Sequence, residues 1–339
     1  MSESIELLIT VPFSEHLITR LQEISPRLHL TVLKARTADE VPTEIWAKTE
    51  VLYTNRALPS VEQAPQLKWI QFHWAGVEHV IDEPILRKPD LVATTLSGAA
   101  APQMAEYVVS MLLALGFHLP DLIAAQKRAE WPRDRWERFV PQELRNSTVG
   151  IVGYGSIGRQ VARLLHAFGA TVLATKRDAR HPEDHGYIPE GMGDPSGAFV
   201  QRLYPAEALR SMLKDCDFVV VTVPKTPATV GLISTEELAA LKPTAYLVDV
   251  SRGGIVDHQA LIQALREKKL AGAALDVFPE EPLPASSPLW KMPNVIITPH
   301  ISGNTRFYDE RAVELFTANL HRYLTGQPLL NRIDLDRGY

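Results

Sequence analysis

Short runs of β-branched and aliphatic residues alternate with stretches of helical periodicity along most of the chain. Such alternation reads as parallel sheets with helices on their faces. In the first hundred residues the apolar runs at 6–10, 28–34, 51–55, 67–72 and 91–96 are expected strands. Pro102 then opens a long expected helix over 103–119, at a position where a missing N–H costs little.

The segment 122–146 is rich in Arg, Glu and Trp and shows no strand pattern. Beyond it the rhythm restarts, with expected strands at 148–153, 171–175, 218–223, 245–250, 272–276 and 295–298. Six strands with helices between them make one doubly wound sheet. Ser234-Thr235-Glu236-Glu237 has the spacing of a capping box, opening a helix that stops before Pro243. Residues 181–205 carry four Gly and four Pro and read as an inserted surface loop. One last helix, about 305–324, is ended by Gly326 and Pro328. The expected class is α/β: two Rossmann-like or flavodoxin-like domains, each with a doubly wound parallel sheet, separated by a cleft. The last helix has no sheet partner in its own segment, so it is expected to return to the first domain. The expected layout is therefore discontinuous, with an outer domain of 1–99 plus 299–339 and a second domain of 100–298 inserted into it.

A length of 339 residues agrees with about two domains. The 35 Lys+Arg against 40 Asp+Glu leave a net charge of −5, which argues against a broad nucleic-acid-binding face. The single cysteine, Cys216, excludes an intrachain disulfide and a cysteine-cluster metal site, and no metal is expected. Flanked by Asp215 and Asp217, its thiol is expected to stay protonated and inert. The longest apolar run, Tyr107 to Phe117, is 11 residues, whereas a membrane span needs about 20. The N-terminal stretch carries acids early and has no basic segment followed by an apolar core, so it does not read as a signal peptide. A cytoplasmic protein without membrane or nucleic-acid partners is expected.

Residues 149–158 read VGIVGYGSIG, in which Gly153, Gly155 and Gly158 fit G-x-G-x-x-G. Alone the pattern is weak, but here it follows an apolar strand and opens a helix, the context that gives it meaning. Gly153 allows the tight turn, Gly155 lets backbone approach a pyrophosphate and Gly158 permits close helix–strand packing. The helix start, with Ser156 and Ile157, offers free N–H groups and a partial positive charge. The 100–298 segment is thus the expected dinucleotide-binding domain. An NAD site places an acid about 20 residues on, against the ribose 2′-OH. Here the second strand ends in Lys176-Arg177, with Lys176 18 residues past Gly158. Two cations there would pair with a 2′-phosphate, so NADP is expected, with NAD as the alternative if Asp178 turns inward.

Three further strand ends carry polar groups: Ser251-Arg252-Gly253-Gly254, the run from Val277 to Pro284, and Pro299-His300. Together LVDVSRGGIVD, ALDVFPEEPLP and NVIITPHISGNT resemble the three signature stretches of the D-isomer-specific 2-hydroxyacid dehydrogenases. The resemblance implies that Arg252 clamps a substrate carboxylate and polarises its carbonyl, using a forked and permanently charged donor. It makes His300 the general acid, and Glu281 the carboxylate that hydrogen-bonds His300 and fixes its tautomer. Asp276 would help place the nicotinamide amide. Val223, Pro224, Thr229, Val250, Arg252 and His300 would line the cofactor.

In the outer domain, Phe72-His73-Trp74-Ala75-Gly76-Val77-Glu78 is similar to the family's substrate loop. The resemblance assigns the N–H groups around Ala75 and Gly76 to the carboxylate, with Arg252 and His300 completing substrate binding. His73 and Trp74 are candidate pocket residues. The Ala-Gly-Val core looks like the glyoxylate/hydroxypyruvate reductase branch. Trp131 and Trp136 fall in the segment that packs across a homodimer interface in the family; Trp131 is read as a structural anchor.

The implied activity is reduction of a small 2-oxo acid, such as glyoxylate or hydroxypyruvate, to the D-2-hydroxy acid. No second basic group for a phosphate is evident, which disfavours phosphoglycerate as substrate, and the carboxylate of Glu281 disfavours formate. The rival reading from another class is a dinucleotide-sensing, corepressor-like binding protein with little turnover.

Overall fold

Alternation along β1 (Ile5–Ile9) sets up the first unit: Ile5, Leu7 and Ile9 enter one core and Leu8 the other. After helix α1 (Glu15–Gln22) come β2 (Leu28–Val32), helix α2 (Thr43–Lys48), β3 (Val51–Thr54), β4 (Trp69–Phe72) and β5 (Val92–Thr94). All pair in parallel, in the order β2-β1-β3-β4-β5. One face is covered by α1 and the C-terminal helix Tyr308–Leu324, which contributes Val313, Phe316 and Leu320 to the core. The other carries Trp46 of α2 with Ala57, Leu67 and Val77 from the connections. The order is the flavodoxin-like one.

The computed structural model describes residues 4–338, which divide into this first unit and a second, Ala101–Asn304. The first runs up to Ala100 and resumes at Thr305. Its sheet edge is extended by the chain's last segment: Ile333 N–H donates to Ala93 O, Thr95 N–H to Asn331 O, and Thr94 bridges Arg332 antiparallel.

The second unit opens with α3 (Ala101–Gly116), α4 (Leu119–Lys127) and the single turn α5 (Arg135–Arg138). The expected helix over 103–119 thus ends at Gly116, and α4 runs on into the segment that shows no strand pattern. Then follow β6 (Thr148–Val152), α6 (Ser156–Phe168), β7 (Thr171–Thr175), β8 (Arg202–Tyr204), α7 (Leu209–Leu213) and β9 (Phe218–Val221). The remainder is α8 (Thr235–Ala240), β10 (Tyr246–Asp249), α9 (His258–Arg266), β11 (Gly272–Leu275) and β12 (Val295–Ile297). The capping box at Ser234 and Glu237 forms at the start of α8.

Seven parallel strands stand in the order β12-β11-β10-β9-β6-β7-β8, one more than the sequence suggests. The extra strand, β8, lies inside the 181–205 segment; three residues with Pro205 next to them give no readable alternation. The unit also keeps residues 299–304, which the expected layout assigned to the outer domain. Hydrogen bonds explain it: Ile301 and Ser302 donate to Asp276, and Gln103 Nε2 to Gly303 O.

Among the described residues no single helix is long and apolar enough to cross a membrane. Helices α3 and α4 reach that length only together, and they bend by 63° at the break. Cys216 is buried beside Gly150, its Sγ donating to Met212 O, and burial pushes the thiol up to about 12. Burial outweighs the flanking carboxylates here.

Candidate active site

In the second unit the strand order reverses between β6 and β9, the place where an open parallel sheet leaves a crevice at its carboxyl ends. β6 runs into Gly153-Tyr154-Gly155. Gly153 has φ +103°, a conformation that L side chains rarely adopt, and a Cβ there would sit 2.7 Å from Val223 Cγ1. At Gly158 a Cβ would lie 2.4 Å from Gly153 O, so only glycine lets α6 start this close to its strand. Gly155 differs from both: a Cβ would meet nothing within 4 Å. The backbone there faces open space at the N-terminus of a 13-residue helix that Ser156 and Ile157 begin. A cradle of bare N–H groups with room beside it suits a pyrophosphate.

β7 ends at Lys176-Arg177, and the structure divides this pair. The Lys176 ammonium donates to the carbonyls of His181 and Glu183, the latter at 2.9 Å. Burial, followed by the Arg159 charge, lowers its pKa. Arg177 lies at the surface beside it. Asp178 does not turn inward; its carboxylate pairs with His181 Nδ1 at 2.7 Å.

The inserted segment is tied to the glycine loop. Buried Asp194 accepts from Tyr154 Oη at 2.5 Å and from the N–H groups of Ala198 and Phe199. Arg159, fully buried on α6, donates to Asp194 O and Pro182 O, both at 2.5 Å, and its guanidinium lies 4.6 Å over the Tyr154 ring. Arg159 thereby fastens the insertion to α6.

β9 to β12 stand side by side, so their carboxyl ends form one continuous edge. At β9, Val223 packs on Gly153, and Thr229 Oγ1 donates to Pro224 O at 2.7 Å, closing the turn between them. At β10, Val250 is buried, and half-buried Arg252 directs Nη1 to Ser251 O at 2.8 Å. A Cβ on Gly253 would fall 1.9 Å from Phe278 O. That close approach seats the Arg252 turn on the loop that carries Glu281.

On that loop Glu281 Oε1 accepts Phe278 N–H at 2.9 Å, and Oε2 lies 2.7 Å from His300 Nδ1. A carboxylate only accepts, so it fixes the proton on Nδ1 and leaves Nε2 as the outward nitrogen. His300 takes φ +53°, in the left-handed region and strained for a residue with a Cβ. Asp276 holds that turn: Oδ1 accepts Thr298 Oγ1 (2.6 Å) and Ile301 N–H (2.9 Å), and Oδ2 accepts Ser302 N–H (2.9 Å). It is 0% exposed, so the role it displays is to position the His300 loop. Thr298 also meets Tyr107 Oη of α3 at 2.6 Å, and burial pushes that phenol up to about 12. Tyr107 and Thr298 were missed in the sequence; a tyrosine with a polar tip in an apolar helix was the available signal.

Asp249, at the end of β10, is buried beside Asp276. Its Oδ1 accepts Ser251 N–H (3.0 Å) and Oγ (2.5 Å), while Oδ2 has no hydrogen-bond partner among the described residues. Burial raises its pKa to about 7.

In the first unit the loop after β4 carries Ala75 and Gly76. Among the described residues their N–H groups donate to no backbone or side-chain acceptor. Free adjacent N–H groups in a turn form an anion-binding concavity. His73 is not a lining residue: it is 6% exposed, bonds Tyr53 Oη through Nδ1 at 2.9 Å, and burial lowers its pKa to about 4. Trp74, by contrast, is 42% exposed. Trp131 and Trp136 are 83% and 74% exposed, so neither is a buried anchor among the described residues. No cluster of metal ligands occurs among the described residues.

Comparison with known proteins places this geometry in a family. Residues 109–302 match the model of the D-isomer specific 2-hydroxyacid dehydrogenase NAD binding domain. A D-3-phosphoglycerate dehydrogenase of Methanocaldococcus jannaschii is 30% identical over 98% of this chain, which spans only 60% of that relative's length. A glyoxylate reductase of Thermofilum pendens is 34% identical over 79% of this chain and 75% of its own. A solved D-isomer specific 2-hydroxyacid dehydrogenase from Xanthobacter autotrophicus Py2, in complex with NADPH and MES, superposes with TM-score 0.80 at 30% identity. That match covers 99% of this chain and 100% of the other. With its glycine cradle, its Glu281–His300 pair and these relatives, the chain belongs to the D-isomer specific 2-hydroxyacid dehydrogenase family.

Proposed function

We propose that this protein reduces a small 2-oxo acid, with glyoxylate and hydroxypyruvate as leading candidates, to the D-2-hydroxy acid using NADPH. The carrying observation is the 2.7 Å contact between His300 Nδ1 and Glu281 Oε2, on a loop pinned by Asp276. A histidine so oriented presents Nε2 to a substrate oxygen, and the carboxylate behind it steadies the imidazolium form. The cradle from Gly153 to Gly158 would hold a nicotinamide dinucleotide, whose chemistry there would be donation of a hydride to C2. His300 Nε2–H gives its proton to the carbonyl oxygen, and Arg252 draws electron density onto that oxygen through its fixed charge. Arg252 and the free N–H groups of Ala75 and Gly76 are assigned to the substrate carboxylate.

The dinucleotide is assigned to the cradle from Gly153 to Gly158, with Val223, Pro224, Thr229 and Val250 along the same edge. The NADP preference rests on Arg177 and on Asp178, whose carboxylate is paired with His181. Lys176 contributes by bracing the turn through carbonyls of the insertion. The exposed aromatics of the α3–α5 region favour a homodimer, and a cytoplasmic setting agrees with this chemistry.

The deciding experiment is initial-rate reduction of glyoxylate and hydroxypyruvate, each with NADPH and with NADH. Turnover at least tenfold more efficient with NADPH is expected. Tight dinucleotide binding without turnover on any 2-oxo acid would overturn the enzymatic reading in favour of a sensor.

A further inference from the structure

Two rings pack against Trp74. His73 meets its indole edge-on at a centroid distance of 4.9 Å, and Tyr308 lies tilted against it at 5.4 Å. Tyr308 is itself fixed, donating from Oη to His73 O at 2.9 Å and packing on the His73 ring at 5.3 Å. Behind them His73 is bound to Tyr53 and flanked by Phe13 at 5.8 Å. Asp309 Oδ1 stands 3.8 Å from His73 Nε2. An indole braced this way has lost its rotamer freedom already, so a ligand that stacks on it meets little entropic opposition.

Location gives the braced ring a purpose. Trp74 directly precedes Ala75 and Gly76, whose N–H groups find no acceptor among the described residues and form the candidate carboxylate site. A hydrophobic side chain left open to water at 42%, yet rigidly packed from behind, is the pattern of a binding wall. Glyoxylate has only hydrogen on its carbonyl carbon and nothing to lay against such a wall.

We infer that Trp74, braced by Tyr308 and His73, is a specificity-determining wall that extends the substrate range to 2-oxo acids bearing a flat apolar side chain. The inference rests on the reductase reading above and names a substrate class for the same site. Phenylpyruvate is the simplest probe, since it carries the same 2-oxo carboxylate with a ring one carbon away.

The test measures kcat/KM for phenylpyruvate and glyoxylate in the wild type and in Trp74→Ser, Trp74→Phe and Tyr308→Phe. Trp74→Ser is expected to lower the phenylpyruvate-to-glyoxylate ratio by roughly ten- to a hundredfold, through KM, as loss of a stacking and burial surface should. Trp74→Phe keeps a flat ring and is expected to restore most of the ratio. Tyr308→Phe keeps the ring but frees it from His73 O, so an intermediate ratio is expected. Equal losses for both acids in Trp74→Ser, or an unchanged ratio, would overturn the inference. Calorimetric titration with phenylpyruvate covers the remaining case. If no 2-oxo acid is turned over, the reductase reading fails, while weaker phenylpyruvate binding by Trp74→Ser still supports the wall and equal binding removes it. Thermal melts guard against misfolding, which a partly exposed position should tolerate.

Discussion

His300 illustrates how much one residue asks of its neighbours. Its positive φ is unfavourable for a side chain with a Cβ, and the three bonds that Asp276 makes to residues 298, 301 and 302 hold the turn. Replacing His300 by Ala should lower the turnover number by about 10²- to 10⁴-fold, the range for general acid–base groups, with the fold intact by circular dichroism. A loss below tenfold would mean the proton comes from water. Arg252→Ala should abolish detectable activity, and Arg252→Lys should recover little, because the ammonium keeps the charge but not the fork. Arg252, Glu281 and His300 were singled out from three strand ends that resemble the family's signature stretches, and the structure brings Glu281 and His300 together at 2.7 Å. Thr298 and Tyr107 were not, because their value lies in a contact across 191 residues of chain. Nor was the split between Lys176 and Arg177, since adjacent cations look alike until one is seen bound to the carbonyls of a loop.

Among the elements, the parallel strands were readable wherever four or more apolar residues ran together, as at Val149–Val152 and Phe218–Val221. β8 was hidden in a Gly- and Pro-rich insertion. The insertion itself is fastened by Arg159, which is fully buried on α6. At the end of β10 a different tension is visible. Asp249 is 1% exposed, one of its oxygens has no hydrogen-bond partner among the described residues, and burial raises its pKa to about 7. A carboxyl whose pKa rises on folding favours the folded state in its neutral form. Its contribution is complete below the unfolded value near 4 and is lost progressively as pH rises through about 7. Asp249→Asn keeps the acceptor for Ser251 and removes the ionisation. The variant should therefore gain stability over the wild type between pH 4 and 7, reaching a plateau on the order of a few kcal/mol above pH 7.5. Denaturant titrations at pH 4.5, 6 and 8 would show it. Parallel curves for the two proteins would mean that Asp249 titrates as it does when unfolded.

At the scale of the whole molecule, the discontinuous layout followed from one physical argument: a helix needs an apolar surface to cover, and the last one had none nearby in sequence. Its Val313, Phe316 and Leu320 fill the first unit's core, so the chain must return there. The same argument applied to the α3–α5 region leaves a surplus. Phe117, Leu119, Leu122, Ile123, Trp131 and Trp136 are all at least 40% exposed, and they fall within twenty residues of sequence. Single exposed hydrophobics are ordinary, but two tryptophans and four other large apolar side chains in one short stretch are costly to leave in water. A second copy of the chain burying them is the simplest remedy, since a twofold contact uses the same surface twice. The wild type should accordingly run as a dimer in light scattering at micromolar concentration. Trp131→Glu combined with Trp136→Glu should shift it toward the 37.7 kDa monomer, because each introduced carboxylate would have to be desolvated in the interface. In the monomeric variant Glu281 and His300 keep their hydrogen bond, which lies wholly within one chain. A wild type that is monomeric at every concentration would instead leave these tryptophans as the surface for a different partner.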